Sequence, residues 1–152
     1  MNNKKIKIEP FIVHLDGMDK TGKDTIQDLL VKKTIGKSLV FNRSYISQIS
    51  YSKIYSRPDV EKYFWENFDL ADNRCEHFIY LYANREDVAK RFIEHDEKDM
   101  KIEDYEKHKT VFDQVIDDAE NKWFIDVLKL NTSELTPNEC VDQILEYSIR
   151  NK

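Results

Sequence analysis

The chain has few of the features that mark several classes of protein. Its 152 residues include only two cysteines, Cys75 and Cys140, which form neither a disulfide framework nor a metal-binding motif. This usage suits a reducing compartment, and we expect a cytoplasmic protein. No apolar run approaches the roughly 20 residues of a membrane-spanning helix, so no membrane association is expected. The polar, basic segment 1–9 lacks the apolar core of a secretory signal.

An excess of positive charge is also missing. The chain has 24 Lys and Arg against 29 Asp and Glu, a net charge of −5 with the histidines neutral. This balance argues against a broad nucleic-acid-binding surface, although it leaves room for a local basic pocket. No internal repeat, low-complexity tract or linker divides the sequence. We therefore expect residues 1–152 to form one domain with a substantial core.

Glycine is scarce too, and its distribution is informative. Only three glycines occur, and Gly17 and Gly22 both lie in the segment 11–25, which reads FIVHLDGMDKTGKDT. An apolar run leads to Gly17, a loop returns to Gly22 and Lys23, and a helical pattern follows at once. A surface turn with an exposed lysine is the plainer interpretation. The strand before and the helix after favour the other one, a phosphate-binding P-loop with the spacing Gly-x4-Gly-Lys.

The residue types in this segment suit phosphate chemistry. Glycines let successive backbone N–H groups point inward at phosphate oxygens, and the helix adds its positive N-terminal end. Lys23 would neutralise the outer phosphates. The position after it usually carries Ser or Thr for Mg²⁺, whereas here Asp24 precedes Thr25, and a carboxylate can bind Mg²⁺ directly or through water. The candidate residues for binding the phosphates of a cofactor are Gly17, Met18, Asp19, Lys20, Thr21, Gly22, Lys23, Asp24 and Thr25.

Along the rest of the chain, apolar strands alternate with helical patterns. The predicted strands are residues 11–15, 38–41, 77–83 and 123–130, with a short stretch at 6–8 before them. The predicted helices are residues 25–35, 45–54, 58–68, 85–95, 102–116 and 137–149, capped by Ser44, Asn84 and Thr136 where those residues precede them. This alternation predicts a three-layer α/β fold, with a parallel sheet of about four to five strands flanked by helices.

In such a sheet, ligands bind beyond the carboxyl ends of the strands. Arg43 follows the second predicted strand and could pair a phosphate bidentately, with a surface ion pair as the alternative. Asp16 ends the first strand and would help to hold Mg²⁺ or brace the loop, while Asp19 would face the acceptor. A solvated loop carboxylate is an equally good interpretation of each.

Further cations lie at the end of the helix predicted at 85–95. Arg91 and His95 are four residues apart, hence on one helical face, with Lys90 and Lys98 nearby. A lid bearing Arg or Lys can place positive charge over a transferring phosphoryl group, and Arg91 is the best candidate. A solvated helix end, where basic residues are favoured, is the alternative.

Aromatic residues are abundant between positions 45 and 65. Tyrosine, phenylalanine and tryptophan can stack a nucleobase, but aromatic residues at helical spacing are more often part of a core. We expect most of this group to pack inside the protein and one or two to line a pocket. The group consists of Tyr45, Tyr51, Tyr55, Tyr63, Phe64 and Trp65.

Taken together, these residues resemble the thymidylate kinase and deoxynucleoside (monophosphate) kinase group of P-loop kinases. The segment 11–25 is similar to that group's first strand and P-loop, including Asp19. The segment 40–47, VFNRSYIS, resembles its Asp/Glu-Arg-Ser/Tyr motif, and the segment 78–92 its strand and helix leading into the lid. Asn42 stands where that group has an acidic residue, and Asp24 stands where it has a residue with a hydroxyl group. A strand and substrate loop after the first helix are missing, which indicates a compact, divergent member.

The resemblance implies an ATP-dependent nucleotide kinase that uses Mg²⁺ and transfers the γ-phosphoryl group to a (deoxy)nucleoside monophosphate or related nucleotide. Relatives in that group are often dimers, so a homodimer is also an expectation. The candidate catalytic residues are Lys23, Arg43, Arg91 and Asp19, and the candidate metal ligands are Asp24, Thr25 and Asp16.

Two other functions stay open. A kinase acting on a hydroxyl of DNA or RNA, at a strand end or a modified base, would be favoured by a basic groove leading to Arg43. A P-loop protein that binds nucleotide without turnover would be favoured by Asn42 and Asp24.

Overall fold

The computed structural model describes residues 9–70, 75–95 and 101–150. Strands and helices alternate along these ranges. The strands are β1 (Phe11–Asp16), β2 (Ser38–Asn42), β3 (Glu76–Tyr82) and β4 (Val127–Asn131). The helices are α1 (Lys23–Lys33), α2 (Tyr45–Ile54), α3 (Glu61–Leu70), α4 (Arg85–His95), α5 (Tyr105–Asn121) and α6 (Pro137–Arg150), and a 3₁₀ turn, Ile102–Asp104, precedes α5.

The four strands form one parallel sheet in the order β2-β1-β3-β4. In the central strand β1, Val13 pairs with Val40 on one side and with His77 on the other. A sheet of this kind is covered on both faces, which explains the nearly continuous apolar character of β1 and β3. Because the strands are parallel, all four carboxyl ends lie at one edge of the sheet.

Successive side chains along the strands point to opposite faces of the sheet, and each face is covered by a separate core. Val13 and Leu15 pack with Ile26 of α1 and Ile144 of α6 on one face. On the other face, Phe78 and Tyr80 of β3 pack with residues of α2, α3 and α5, among them Ile46, Trp65 and Phe112. The predicted three-layer α/β fold, with a parallel sheet of about four to five strands, is confirmed, and the described residues contain four of them.

Several predicted element boundaries were wrong, each for a local reason. Pro58 is not a first helical residue, because α3 begins at Glu61, whose backbone N–H donates to Asp59 Oδ1 at 3.0 Å. The fourth strand begins at Val127 rather than at residue 123, and Phe124 before it has a left-handed φ of 57°. The first helix begins two residues earlier than predicted, at Lys23.

The predicted helix caps had different outcomes. Thr136 and Glu139 form the expected capping box, with the backbone N–H of each donating to the other's side chain at 3.1 and 3.2 Å. Ser44 makes no side-chain cap hydrogen bond to α2, since its hydroxyl donates to Asp16 instead. The predicted strand at residues 6–8 and the cation Lys98 lie outside the described residues. No helix in the described ranges combines the length and apolar character needed to cross a bilayer.

Candidate functional site

The loop between β1 and α1 has a backbone that its glycines make possible. Gly17 has a φ of 151°, and a Cβ atom there would lie 2.2 Å from the backbone oxygen of Leu81 in β3. The loop therefore passes against the neighbouring strand at a distance that only glycine permits. Gly22 and Lys20 also have positive φ values, of 90° and 63°. The result is a tight turn between β1 and the N-terminus of α1.

Lys23 lies inside this loop. Its side chain is buried, and Nζ donates to the backbone oxygen of Met18 at 2.6 Å and to Thr21 Oγ1 at 3.3 Å. The Thr21 hydroxyl donates to the same Met18 oxygen at 2.9 Å. Burial, with the nearby charge of Arg43 as a smaller cause, lowers the pKa of Lys23 to about 8. The ammonium is thus held by the loop's own backbone.

Asp16, at the end of β1, connects the sheet to α2. Its fully buried carboxylate accepts hydrogen bonds from the backbone N–H and the hydroxyl of Ser44, at 2.8 and 2.7 Å. It accepts two more from the backbone N–H and the hydroxyl of Ser47, at 3.0 and 2.7 Å. A carboxylate has about four acceptor positions, so these contacts use its capacity. The negative charge also lies at the N-terminus of α2, where the helix dipole favours it.

Arg43 follows β2 and contacts two elements at once. Its guanidinium forms an ion pair with Asp19 in the P-loop and lies over the Tyr51 ring of α2, with 4.8 Å between the guanidinium carbon and the ring centroid. Its backbone N–H donates to the oxygen of Leu15 at 2.8 Å, and its φ is 75°. The side chain is therefore directed across the end of β1 toward the P-loop.

Asp24 and Asn42, two of the positions at which the sequence departs from the kinase group that it resembles, contact each other. Asp24 and Thr25 are exposed in the first turn of α1. The Asn42 amide nitrogen donates to Asp24 Oδ1 and lies 3.5 Å from Gln27 Oε1. Sequence reasoning considered the two changes separately and missed this contact, since it depends on the first turn of α1 lying beside the end of β2.

Arg91 reaches the P-loop from α4. Its guanidinium donates to the backbone oxygen of Lys20 at 2.7 Å, and to the hydroxyl and backbone oxygen of Thr132 at 3.3 Å each. Thr132 was not among the candidate residues. Its position directly after β4 could have identified it, because ligand sites lie beyond the carboxyl ends of parallel strands.

Two cavities meet at this edge of the sheet. One has a volume of about 940 Å³ and is lined by loop residues 19–25 with Asn42, Arg43, Arg91 and Thr132. The other has a volume of about 770 Å³ and lies along β2 and α2, with Phe41, Tyr45, Tyr51 and Tyr55 in its wall. Asp19 and Arg43 line both cavities, so their ion pair lies at the junction.

Most of the candidate residues are brought together, but not all. The first cavity is lined by Asp19, Lys20, Thr21, Gly22, Lys23, Asp24, Thr25, Arg43 and Arg91. Asp16, Gly17 and Met18 line neither cavity, and Met18 is fully buried in the core. Lys90 is exposed on α4 and lines neither cavity. The side chain of His95 lies outside the described part of the structure.

The comparisons with known proteins concern the fold. No protein-family model and no curated protein matches this chain. Among solved structures, the chain is similar to the YorR protein of Bacillus subtilis, whose structure was solved in complex with phosphorylated GDP. The TM-score is 0.73 over 90% of this chain and 94% of that one, at 13% sequence identity. The chain therefore has the P-loop-like α/β fold that its sequence predicts.

Proposed function

We propose that the chain is a P-loop kinase that transfers the γ-phosphoryl group of ATP to a nucleotide acceptor such as a (deoxy)nucleoside monophosphate. The observation that carries this proposal is the meeting of two cavities at Asp19 and Arg43. Phosphoryl transfer depends on holding two substrates in line with positive charge between them. The similarity of the fold to YorR, solved with a bound nucleotide, supports a nucleotide as the ligand.

The first cavity would bind the triphosphate. Backbone N–H groups of the P-loop and the N-terminus of α1 would surround the β- and γ-phosphates. The Lys23 ammonium, held on the Met18 oxygen, would transfer to phosphate oxygens, which are stronger acceptors because they are charged. Arg91 would add a cation at the rim of the loop, where it already contacts Lys20.

The residues around the loop fit a Mg²⁺ ion bound together with the nucleotide. Within the described residues, no group of three or more His, Cys, Asp or Glu side chains could hold a metal by itself. Mg²⁺ in kinases is typically bound by one or two protein ligands and by substrate phosphates, so such a group is not needed. Asp24 and Thr25 would hold the ion, which neutralises phosphate charge. Asp16, whose carboxylate accepts hydrogen bonds from α2, would contribute by fixing the end of β1.

The second cavity would bind the acceptor, with Arg43 on its phosphate and Asp19 orienting Arg43. An acceptor oxygen forms the new bond to the γ-phosphorus, the bond to the bridging oxygen breaks, and ADP leaves. A monophosphate, with a second pKa of about 6, is largely ionised at neutral pH, so this step requires no general base. Asn42, in the place of an acidic residue, is compatible with such an acceptor.

The test is ADP formation from ATP and Mg²⁺ with a panel of deoxynucleosides, deoxynucleoside monophosphates and short oligonucleotides. We expect Lys23→Ala to reduce turnover by about a hundredfold or more, since it removes a cation from the transferring phosphates. Lys37→Ala is the matched control, because Lys37 is exposed at the opposite edge of the sheet, before β2. Failure of ATP to bind at all would contradict the proposal.

A protein that binds nucleotide without turnover is the second candidate. The contact between Asn42 and Asp24 favours it, because it occupies one carboxylate oxygen at the position where the metal would bind. ATP binding that is lost in Lys23→Ala, together with no turnover on any acceptor in the panel, would select this function over the first.

A further inference from the structure

Two arginines and two tyrosines form a row in the wall of the second cavity. The Arg43 guanidinium carbon lies 4.8 Å from the Tyr51 ring centroid. The Tyr51 and Tyr55 rings are stacked, with centroids 6.0 Å apart and planes 12° from parallel. The Arg57 guanidinium carbon lies 5.2 Å from the Tyr55 ring centroid. All four residues line the cavity, so it has a cation at each end of a stacked aromatic pair.

The local backbone positions the outer cation. The N–H of Arg57 donates to the backbone oxygen of Ser52 at 2.7 Å, and Ser56 between them has a left-handed φ of 51°. This turn at the end of α2 returns the chain so that Arg57 lies over Tyr55. A guanidinium over an aromatic face is attracted by the ring and loses fewer orientations on binding an anion.

The two arginines differ in their charge partners. Arg43 forms an ion pair with Asp19, whereas Arg57 forms none with any carboxylate in the described ranges. Glu76, which also lines the cavity, contacts His14 with 3.1 Å between Oε1 and Nε2. Arg57 and Tyr55 are both exposed, so the outer end of the row is open to a ligand.

The chemistry of the row is that of a surface for single-stranded nucleic acid. Guanidinium groups bind phosphates, and two of them spaced along a groove suit the repeated phosphate charge of a single strand. A free mononucleotide has a single phosphate group. That phosphate would bind Arg43 and leave Arg57 without an anion. The cavity, of about 770 Å³, lies in the upper part of the range of about 300–1,000 Å³ for ligand sites.

We propose that the acceptor is the 5′-phosphorylated end of a nucleic-acid strand, with its terminal phosphate at Arg43 and the phosphate that links the first nucleotide to the next at Arg57. An oxygen of the terminal phosphate forms the new bond to the γ-phosphorus, the bond to the bridging oxygen of ATP breaks, and ADP leaves. Tyr51 and Tyr55, stacked between the two cations, hold the guanidinium groups apart. This inference rests on the proposed kinase function and names its acceptor class. The acidic net charge of −5 agrees with a short basic row that holds a strand end, rather than with a broad surface that holds a duplex.

The test compares acceptors that differ by one nucleotide unit. Calorimetry would measure the binding of thymidine against the thymidine dinucleotide, and of thymidine monophosphate against the 5′-phosphorylated dinucleotide. We expect each dinucleotide to bind about tenfold more tightly than the thymidine or thymidine monophosphate with which it is compared, because its linking phosphate adds a charge-assisted contact to Arg57. In Arg57→Ala that preference should vanish while mononucleotide binding changes by less than about twofold. Arg57→Lys should restore part of it, and Lys37→Ala should leave it unchanged.

Salt dependence gives an independent readout. For the dinucleotide alone, the slope of log affinity against log salt should fall by about 0.7 in Arg57→Ala, the value for one single-strand phosphate contact. Equal wild-type affinity for the dinucleotide and the mononucleotide would overturn the inference, as would an equal loss for both in Arg57→Ala. Neither measurement requires ATP. Turnover on mononucleotides alone would leave the proposed kinase intact and reject the strand end, whereas absence of ATP binding would reject the kinase itself.

Discussion

The guanidinium of Arg43 forms an ion pair with the carboxylate of Asp19, which connects the segment after β2 to the P-loop. Arg43 holds this position with a left-handed backbone, at a φ of 75°. Left-handed conformations are unfavourable for residues with a Cβ atom, and they persist where surrounding contacts impose them. Arg43 therefore has both a strained backbone and an ion pair, and it lies at the junction of the two cavities.

Two substitutions at Arg43 distinguish the effect of its side chain on stability from the effect of its backbone conformation. Arg43→Gly and Arg43→Ala remove the same contacts, but only glycine relieves the left-handed strain of about 1–2 kcal/mol. The greater freedom of glycine in the unfolded chain offsets about 0.4–1 kcal/mol of that. We therefore expect Arg43→Gly to be more stable than Arg43→Ala by about 0.5–1 kcal/mol in urea denaturation. A less stable glycine variant would show that the backbone is not strained.

Asp16 and Asp24 should have different roles: we expect the carboxylate of Asp16 to stabilise the fold and that of Asp24 to bind the metal ion. Asp16→Ala leaves four donors of Ser44 and Ser47 without their acceptor, and we expect a loss of about 2–4 kcal/mol of unfolding free energy in metal-free buffer. Asp24 is exposed, and Asp24→Ala should change stability by no more than about 1 kcal/mol. With a non-hydrolysable ATP analogue present, Asp24→Ala should weaken Mn²⁺ binding, followed by electron paramagnetic resonance. Unchanged Mn²⁺ affinity would exclude Asp24 as a ligand.

The lowered pKa of Lys23 predicts proton uptake on nucleotide binding. With a pKa of about 8, Lys23 is mostly neutral at about pH 9. Bound phosphates favour the ammonium and raise this pKa, so triphosphate binding should take up close to one proton at that pH and fewer as the pH falls below 8. Calorimetry in two buffers of different ionisation enthalpy measures the uptake. The Lys23→Arg variant, which stays charged, should show none, and equal heats for wild type in both buffers would count against the prediction.

Gly17 and Gly36 form a matched pair, since both have positive φ values but different surroundings. A Cβ atom on Gly36, at a φ of 73°, would meet nothing within 4 Å, so Gly36→Ala should destabilise the protein by about 1 kcal/mol. On Gly17 it would also lie 2.2 Å from the Leu81 oxygen. We expect Gly17→Ala to lose about 3 kcal/mol or more in thermal denaturation, or to prevent folding. Equal losses would mean that the loop can move away from β3.

The P-loop and the order of elements were accessible to sequence reasoning for local reasons. Glycine spacing, a following lysine and flanking apolar periodicity are properties of short segments, and they predicted the loop before α1 and the layered fold. The two errors had different causes. At Pro58 the sequence offered two neighbouring start signals, and it is Asp59, one residue later, that accepts the backbone N–H of Glu61 at the start of α3. The hydroxyl of Ser44 was assigned to its own helix because its competitor, Asp16, lies 28 residues away.

The sequence by itself predicted the tight turn between β1 and α1, because Gly17 and Gly22 supply the positive φ values that the turn requires. Only the tertiary structure decided what surrounds that loop. Parallel pairing of β2 with β1 brings Arg43 to Asp19, and the return of the chain after α2 places Arg57 over Tyr55. Such contacts depend on which strands become neighbours, and that is settled by packing of the whole chain rather than by any one segment.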